Sequence, residues 1–329
     1  MSVGKQQTLS RGERMTVGRP SRRILLTGAT GFIGSHLAKL LVREGQTVFA
    51  IIRPGSDRWR LHDVLDKLTV LELDLTDTLA LAEQLRMVQP ELCMHLAWRG
   101  WSGASAAEDN ISSLSISLEL IRTVSRLGCR RFIVAGTCFE YDMSHNLLSE
   151  RTPLRPHDLY GTCKSSLLQV GEQFSRLSGM QIVWPRIFYS YGPYEDERRL
   201  VPSIVLALLR GEPAPTTAGA QIRDYLHAED VASAIWTVAC SEFVGAVNIA
   251  SGTPVTVNEV IRDIGDLLGK PDLLRLGTLP YRSGEPMVIR ADTTVLREQL
   301  GWAPQFELRS GLRHTIEWWK ARLHSCVRP

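Results

Sequence analysis

The sequence predicts an α/β protein: a doubly wound parallel sheet with helices on both faces, joined to a smaller C-terminal α/β lobe. Three observations lead there. From Ile24 to Arg186 short β-branched apolar runs alternate with longer amphipathic stretches, and parallel strands need such crossovers because no tight turn can join them. The first run leads straight into a glycine-rich loop and then a helical pattern. With 329 residues, 44% hydrophobic and 22% charged, the chain is large enough for two lobes and has ordinary globular composition.

The runs that read as strands are Ile24–Thr27, Thr47–Ile52, Leu68–Glu72, Leu92–Leu96, Arg131–Ala135 and Gln181–Pro185; helical spacing marks Ser35–Arg43, Leu79–Val88, Asn110–Leu127 and Leu159–Leu177. After Arg186 the rhythm breaks. Gly and Pro cluster at Gly192–Pro193, Gly211–Pro215 and Gly252–Pro254, and a helix such as Val201–Leu209 has no regular strand partner. The division that follows is a flexible tail over 1–21, a sheet domain over 22–187 to which 222–250 returns, and a lobe built from 188–221 and 251–329. Such a lobe covers the carboxyl edge of the sheet, where open α/β folds bind ligands.

Several function classes are excluded. No apolar run approaches the roughly 20 residues of a membrane helix, so no membrane partner is expected. The net charge of +3 is carried by the first 23 residues, where six basic side chains stand against Glu13; the remaining body holds 32 basic and 34 acidic residues, a charge of −2. Nucleic-acid binding calls for basic residues across the folded surface, so no nucleic-acid partner is expected either. The tail lacks the apolar segment of a secretory signal. The six cysteines form no CxxC pair and no ligand-like spacing with histidines, which reads as reduced thiols in a cytoplasmic protein with no metal site.

The chemistry starts at Gly28-Ala29-Thr30-Gly31-Phe32-Ile33-Gly34. Glycines between a strand and a helix let backbone approach a pyrophosphate, which then meets the free N–H groups of the helix. Dinucleotide sites for NAD usually carry an acid at the end of the second strand, but this strand ends Ile52-Arg53-Pro54-Gly55-Ser56. A guanidinium suits a 2′-phosphate, so Arg53, assisted by Ser56 or Arg58, favours NADP(H), with NAD(H) as the alternative. Asp74, after the third strand, is placed to reach the adenine edge. Tyr160 and Lys164, four apart on a helix, share one face. A nearby ammonium and a nicotinamide cation both favour the phenolate and lower the tyrosine pKa from about 10. Thr137 lies just past a strand end, a place from which its hydroxyl could reach the substrate oxygen.

Thr27–Gly34, Asp74, His95-Leu96-Ala97, Asn110, Thr137 with Tyr141, Tyr160 with Lys164, and Arg223-Asp224-Tyr225-Leu226-His227 stand in one order and spacing. From about Arg23 to Trp318 this resembles the extended short-chain dehydrogenases/reductases, in their nucleotide-sugar epimerase/dehydratase branch. The resemblance implies a Rossmann domain, a nucleotide-sugar substrate and a catalytic Thr137, Tyr160 and Lys164. Tyr160 exchanges the proton, Lys164 binds the nicotinamide ribose and Thr137 holds the sugar oxygen. It also implies cofactor contacts from the glycine loop, Asp74, Leu75, Leu96 and Ala97, substrate contacts from Arg223 and Arg282 for the diphosphate and from Leu200 for the base, and a homodimer through the helices Asn110–Leu127 and Leu159–Leu177.

Departures from that pattern narrow the reaction. The 4,6-dehydratases of the branch carry Thr-Asp-Glu where this chain has Thr137-Cys138-Phe139, so the acid pair of that chemistry is missing. The related epimerase-reductases have a cysteine where Phe139 stands. Trp98 replaces a small residue and Tyr189 an asparagine, which implies a reshaped sugar pocket; Trp98 and Trp101 either stack on a pyranose or simply pack. Reduction of a 4-keto sugar and 4-epimerisation need only Thr137, Tyr160 and Lys164. A net reductase exchanges its cofactor and draws on NADPH, so Arg53 favours 4-ketoreduction of an NDP-4-keto-6-deoxy or dideoxy hexose in deoxysugar biosynthesis. A 4-epimerase with retained NAD is the alternative, and a non-catalytic NADP-binding sensor a further one.

Overall fold

Strands buried on both faces read as continuous apolar runs without polar alternation, and Leu92–His95 and Arg131–Val134 are buried along their whole length. The structure, a computed structural model, describes residues 21–99 and 106–326. Its elements in chain order are β1 (Arg23–Thr27), α1 (Phe32–Arg43), β2 (Thr47–Ile52), β3 (Thr69–Glu72), α2 (Thr78–Val88), β4 (Leu92–His95), α3 (Ala106–Arg126), β5 (Arg131–Val134), β6 (Gly136–Thr137), α4 (Leu159–Ser178) and β7 (Gln181–Ile187). There follow β8 (Tyr189–Tyr191), α5 (Leu200–Arg210), β9 (Ala214–Pro215), β10 (Ile222–His227), α6 (Ala228–Ala239), β11 (Gly245–Ile249), β12 (Pro254–Thr256), α7 (Val257–Leu268), β13 (Leu274–Arg275) and α8 (Leu308–Cys326).

The main sheet runs β3-β2-β1-β4-β5-β7-β11, with β6 beside β7, and its pairings are parallel. The chain leaves β1 in one direction and returns beside it as β4, so the order reverses between these two strands. That reversal opens a crevice at the carboxyl edge. α1 and α6 cover one face, burying Leu37, Leu41 and Ile235; Leu85, Leu120, Val124 and Leu167 cover the other. Each such side chain contributes about 1.5–3 kcal/mol by leaving water. β11 joins this sheet and α6 packs on α1, whereas β10 lies in a small sheet between β12 and β8. α5, α7 and α8 enclose a second core around Val205, Ile261, Leu312 and Trp319.

Two buried acids tie lobe to sheet. Asp224 of β10 accepts from the Ser251 and Gly252 amides at 2.7 and 3.0 Å, just past β11. Asp230 accepts from the Gln305 and Phe306 amides at 2.9 and 3.0 Å, ahead of α8. Burial raises both carboxyls, and the amides stabilise their charged forms.

Several boundaries differ from the sequence reading. α1 begins at Phe32, not Ser35, because the last residues of the glycine loop already form its first turn behind the N-cap Gly31. β7 continues through Pro185 to Ile187, and α3 starts at Ala106. Residues 1–20 of the basic tail, and Trp101, lie outside the described residues. Among the described residues no helix is long and apolar enough to cross a membrane.

Gly34 marks the tightest point of the β1–α1 connection, since a Cβ there would stand 1.9 Å from the Gly28 carbonyl oxygen. Gly34→Ala is expected to destabilise the protein by about 1–3 kcal/mol, the usual cost of overpacking, and to weaken dinucleotide binding. Urea unfolding and cofactor titration measure the two losses; wild-type values for both would contradict this packing.

Candidate active site

The site is held by the turn after β5 and by the first turn of α4. Thr137 caps a single helical turn at Cys138–Glu140, its hydroxyl accepting from the Phe139 amide at 3.3 Å while Glu140 accepts from the Thr137 amide at 2.7 Å. Asp158 caps α4 by accepting from the Gly161 amide at 2.7 Å. Gly161 lets these pieces touch: a Cβ there would lie 2.3 Å from the Phe139 carbonyl oxygen. The consequence is that Tyr160 and Thr137 are hydrogen-bonded through their side chains.

Lys164 is buried, donates to the Ala135 carbonyl at 2.7 Å and rests 3.8 Å over the Trp98 ring. Burial lowers its pKa to about 7, partly opposed by the charge of Glu140. Burial, the largest effect on Tyr160, raises it above its ordinary value, opposite to the lowering that the ammonium alone would give. Lys164 lies 6.0 Å from the Tyr160 ring centroid and points its proton at Ala135.

Around these groups lies a cavity of about 290 Å³ lined by Thr137, Cys138, Phe139, Tyr160, Lys164, Trp98, Tyr189, Glu195, Arg199, Leu200 and Tyr225, among others. Cys138 and Phe139 both line this cavity. Burial pushes the Cys138 thiol up to about 12, which makes it a poor base at neutral pH. Trp98 is more than packing: its Nε1 donates to Asn110 at 2.8 Å, its edge meets Tyr160, and it also borders a second cleft.

That second cleft, about 260 Å³, lies over the crevice between β1 and β4. Gly28, Thr30, Gly31, Arg53, Ser56, Asp74, Leu75, Leu96 and Ala97 line it, with Trp98 and Arg99. Phe32 borders the first cavity instead; Ile33 packs on the core and Gly34 is buried against Gly28. The cradle fits a dinucleotide. A Cβ on Gly28 would lie 2.6 Å from the Ala97 amide, so only glycine brings the loop this close, and no side chain caps the N-terminus of α1, which leaves its first amides for an anion. Beneath it, the Ala97 amide donates to Thr27 Oγ1 at 3.2 Å, and Thr27 meets His95 Nδ1 at 2.6 Å. His95 Nε2 meets Ser117 Oγ at 2.9 Å, and that hydroxyl donates to the Ser113 carbonyl. The chain of donors requires neutral His95, and burial lowers its pKa to about 3.

Some sequence assignments change. Arg58 is turned away from the cleft into an ion pair with Glu72, so it does not assist Arg53. Asp74 stays in the cleft lining and there pairs with Arg99 at 3.2 Å and with Thr76. Arg223 is 1% exposed, bonded to Glu285 at 2.9 Å and lying 5.2 Å from the Tyr189 ring; it meets the cavity through Tyr189 rather than lining it. Arg282 is exposed and lies outside both linings, because the Arg282–Glu285 turn presents Glu285 inward. Glu140, Glu195 and Arg199 were missed. Glu140 had a signal, an acid inside an otherwise apolar stretch matched by Arg186 inside a strand.

His227, Glu229 and His314 place one donor atom each within 4.8 Å of one another. His227 Nδ1 already accepts the Glu229 amide as the cap of α6, and its Nε2 faces His314 at 3.2 Å.

A doubly wound sheet, a glycine cradle and an adjoining Thr–Tyr–Lys cavity describe a dinucleotide-binding protein of oxidoreductase type. The chain belongs to the NAD dependent epimerase/dehydratase family, whose model matches residues 24–250, within the extended short-chain dehydrogenases/reductases. It is 28% identical to dTDP-glucose 4,6-dehydratase 1 of Escherichia coli (strain K12), over 90% of this chain and 92% of that protein. It is 26% identical to the UDP-glucose 4-epimerase of Thermotoga maritima, solved with UDP-glucose, with a TM-score of 0.83 over 91% of this chain and 99% of that one. MoeE5, solved with UDP-glucuronic acid and NAD, is 28% identical with a TM-score of 0.79, over 91% and 99%.

Glu140 and Arg186 pair at 2.8 Å and are 0% and 3% exposed at their side chains. Glu140→Ala leaves Arg186 buried without its counter-ion and is expected to cost about 3–5 kcal/mol. Denaturant unfolding checks this, and a loss below about 1 kcal/mol, the range of surface pairs, would refute it.

Proposed function

We propose that this protein reduces the 4-keto group of an NDP-4-keto-6-deoxy or dideoxy hexose with NADPH. The observation that carries the reading is the hydrogen-bonded Thr137 and Tyr160, with Lys164 beside them, in a cavity whose acid-pair positions are Cys138 and Phe139. Relatives that act on or bind nucleotide sugars support the substrate class. The bound cofactor supplies a hydride. Thr137 and Tyr160 hydrogen-bond the carbonyl oxygen, and Tyr160 donates its proton as charge develops there. Burial raises Tyr160, which keeps the phenol protonated, the state a reductive step requires. Lys164, poised near neutrality, holds the cofactor ribose and returns a proton towards Tyr160.

At the adenosine end Arg53 and Ser56 line the cleft, β2 ends without an acid, and Asp74 is engaged by Arg99. These support NADP over NAD. Arg199 lines the cavity and is a candidate for a diphosphate; Arg223 joins only if its pair with Glu285 opens, and Arg282 only if its turn moves inward. Ile111 on α3 and Val170 on α4, 50% and 49% exposed, support a homodimer across these helices. The structural likeness to a 4-epimerase favours a second reading, 4-epimerisation with retained NAD.

Incubation with NADPH and an enzymatically made 4-keto-6-deoxy sugar nucleotide separates the two. The reductase oxidises cofactor stoichiometrically; an epimerase interconverts two sugars without net oxidation. Tyr160→Phe is expected to lower kcat by about 10²–10⁴-fold, as for a lost acid, with NADPH affinity nearly unchanged, and near-wild-type turnover would sink the assignment. Arg53→Ser is expected to raise the KM for NADPH by about 10–100-fold, a charge-assisted bond or two, while NADH changes little. A wild-type enzyme that prefers NADH would overturn the cofactor choice.

A further inference from the structure

The mechanism leaves one carboxyl of the reaction cavity unused. Glu195, between β8 and α5, is 8% exposed yet lines the same cavity as Thr137, Tyr160 and Lys164. Its Oε2 has no hydrogen-bond partner. A buried polar atom left unsatisfied costs about 1–3 kcal/mol; of the six such side-chain atoms among the described residues, this is the one whose residue lines the reaction cavity. We propose that Glu195 determines sugar specificity by accepting, through Oε2, a hydrogen bond from a donor on the pyranose, a hydroxyl or an amino group. This rests on the nucleotide-sugar reading above.

The chemistry favours the sugar over the other parts of such a substrate. A diphosphate has no hydrogen-bond donor to offer Oε2, and its charge disfavours the ionised carboxyl. The pyranose whose carbonyl reaches Thr137 and Tyr160 must occupy the cavity they share with Glu195, and at about 290 Å³ that cavity is at the small end of ligand pockets. Burial outweighs the Arg199 charge and the Gly192 amide and pushes Glu195 up to about 8; Asp196 and Tyr225 are its other titratable neighbours. A substrate donor supplies the stabilisation that these groups do not. Sites built around a buried acceptor reject analogues lacking the matching donor.

The test is calorimetric binding to the NADPH-loaded wild type, Glu195→Leu and Glu195→Gln. The probes are UDP, dTDP, GDP and CDP, then the glucose, 2-deoxyglucose, 3-deoxyglucose and glucosamine derivatives of whichever nucleotide binds. Glu195→Leu is expected to weaken the intact sugar nucleotide about 10–100-fold, the cost of leaving the sugar's buried donor without its acceptor, and to leave the bare diphosphate unchanged. One deoxy analogue suffers the same loss in wild type and no further loss in the Leu variant, because the two changes remove one interaction. Tighter wild-type binding of the glucosamine derivative assigns the donor as an amine; weaker binding assigns a hydroxyl. Glu195→Leu removes both the unpartnered oxygen and the acceptor of the Gly192 amide, so its melting temperature is expected to stay near that of wild type. Equal affinities of all three proteins for every sugar would overturn the proposal, as would a matching loss for the bare diphosphate, which places Glu195 on the base. Failure of every nucleotide to bind wild type would remove the nucleotide-sugar reading itself.

Discussion

A single buried carboxylate organises the carboxyl edge of the sheet. Glu140 accepts from the Thr137 amide at 2.7 Å, Trp184 Nε1 at 2.9 Å and Arg186 Nε at 2.8 Å. Arg186 donates on to the Tyr141 hydroxyl at 2.8 Å, which donates to Asn248 at 2.6 Å. The turn after β5 is thereby locked to β7 and β11, the two strands beyond it in the sheet. Inside a low-dielectric core such bonds strengthen one another and allow one arrangement only. Thr137 inherits its position from that network, and Tyr160 inherits its position from Thr137. Burial raises Tyr141, so the phenol remains a hydrogen-bond donor in the chain.

Charge in this molecule works by placement. The folded body is slightly acidic, and several arginines are spoken for by partners: Arg58 by Glu72, Arg99 by Asp74, Arg223 by Glu285 and Arg186 by Glu140. What distinguishes the two clefts is which cations reach their walls, Arg53 and Arg99 in one, Lys164 and Arg199 in the other. Trp98 stands between the clefts, under the Lys164 ammonium. The lysine's positive charge is thus shared between an aromatic face and a backbone carbonyl, and burial leaves it able to lose its proton near neutrality.

The tyrosine argument shows where local reasoning gives way. Spacing of four residues does place Tyr160 and Lys164 on one helix face, but proximity on a helix says nothing about the medium around them. Burial penalises charge on both groups and moves them in opposite directions, the lysine down and the phenol up. The glycine at 161 could be read as a weak helix position; its reason is the approach of the Phe139 carbonyl from a different part of the chain.

By itself the sequence determined the order of strands and helices in the first half, the glycine cradle, the absence of an acid at the end of β2 and the identity of the Thr, Tyr and Lys side chains. These are local properties: periodicity, turn chemistry and residue type at short spacing. Only the tertiary structure decided that Arg58 turns to Glu72, that Arg223 is tied to Glu285 while Arg282 stays outside, that Glu140 and Arg186 meet from 46 residues apart, and that Glu195 faces the reacting groups. Pairings across long separations depend on how the layers pack, and burial, which sets the charge of each group, exists only once they have packed.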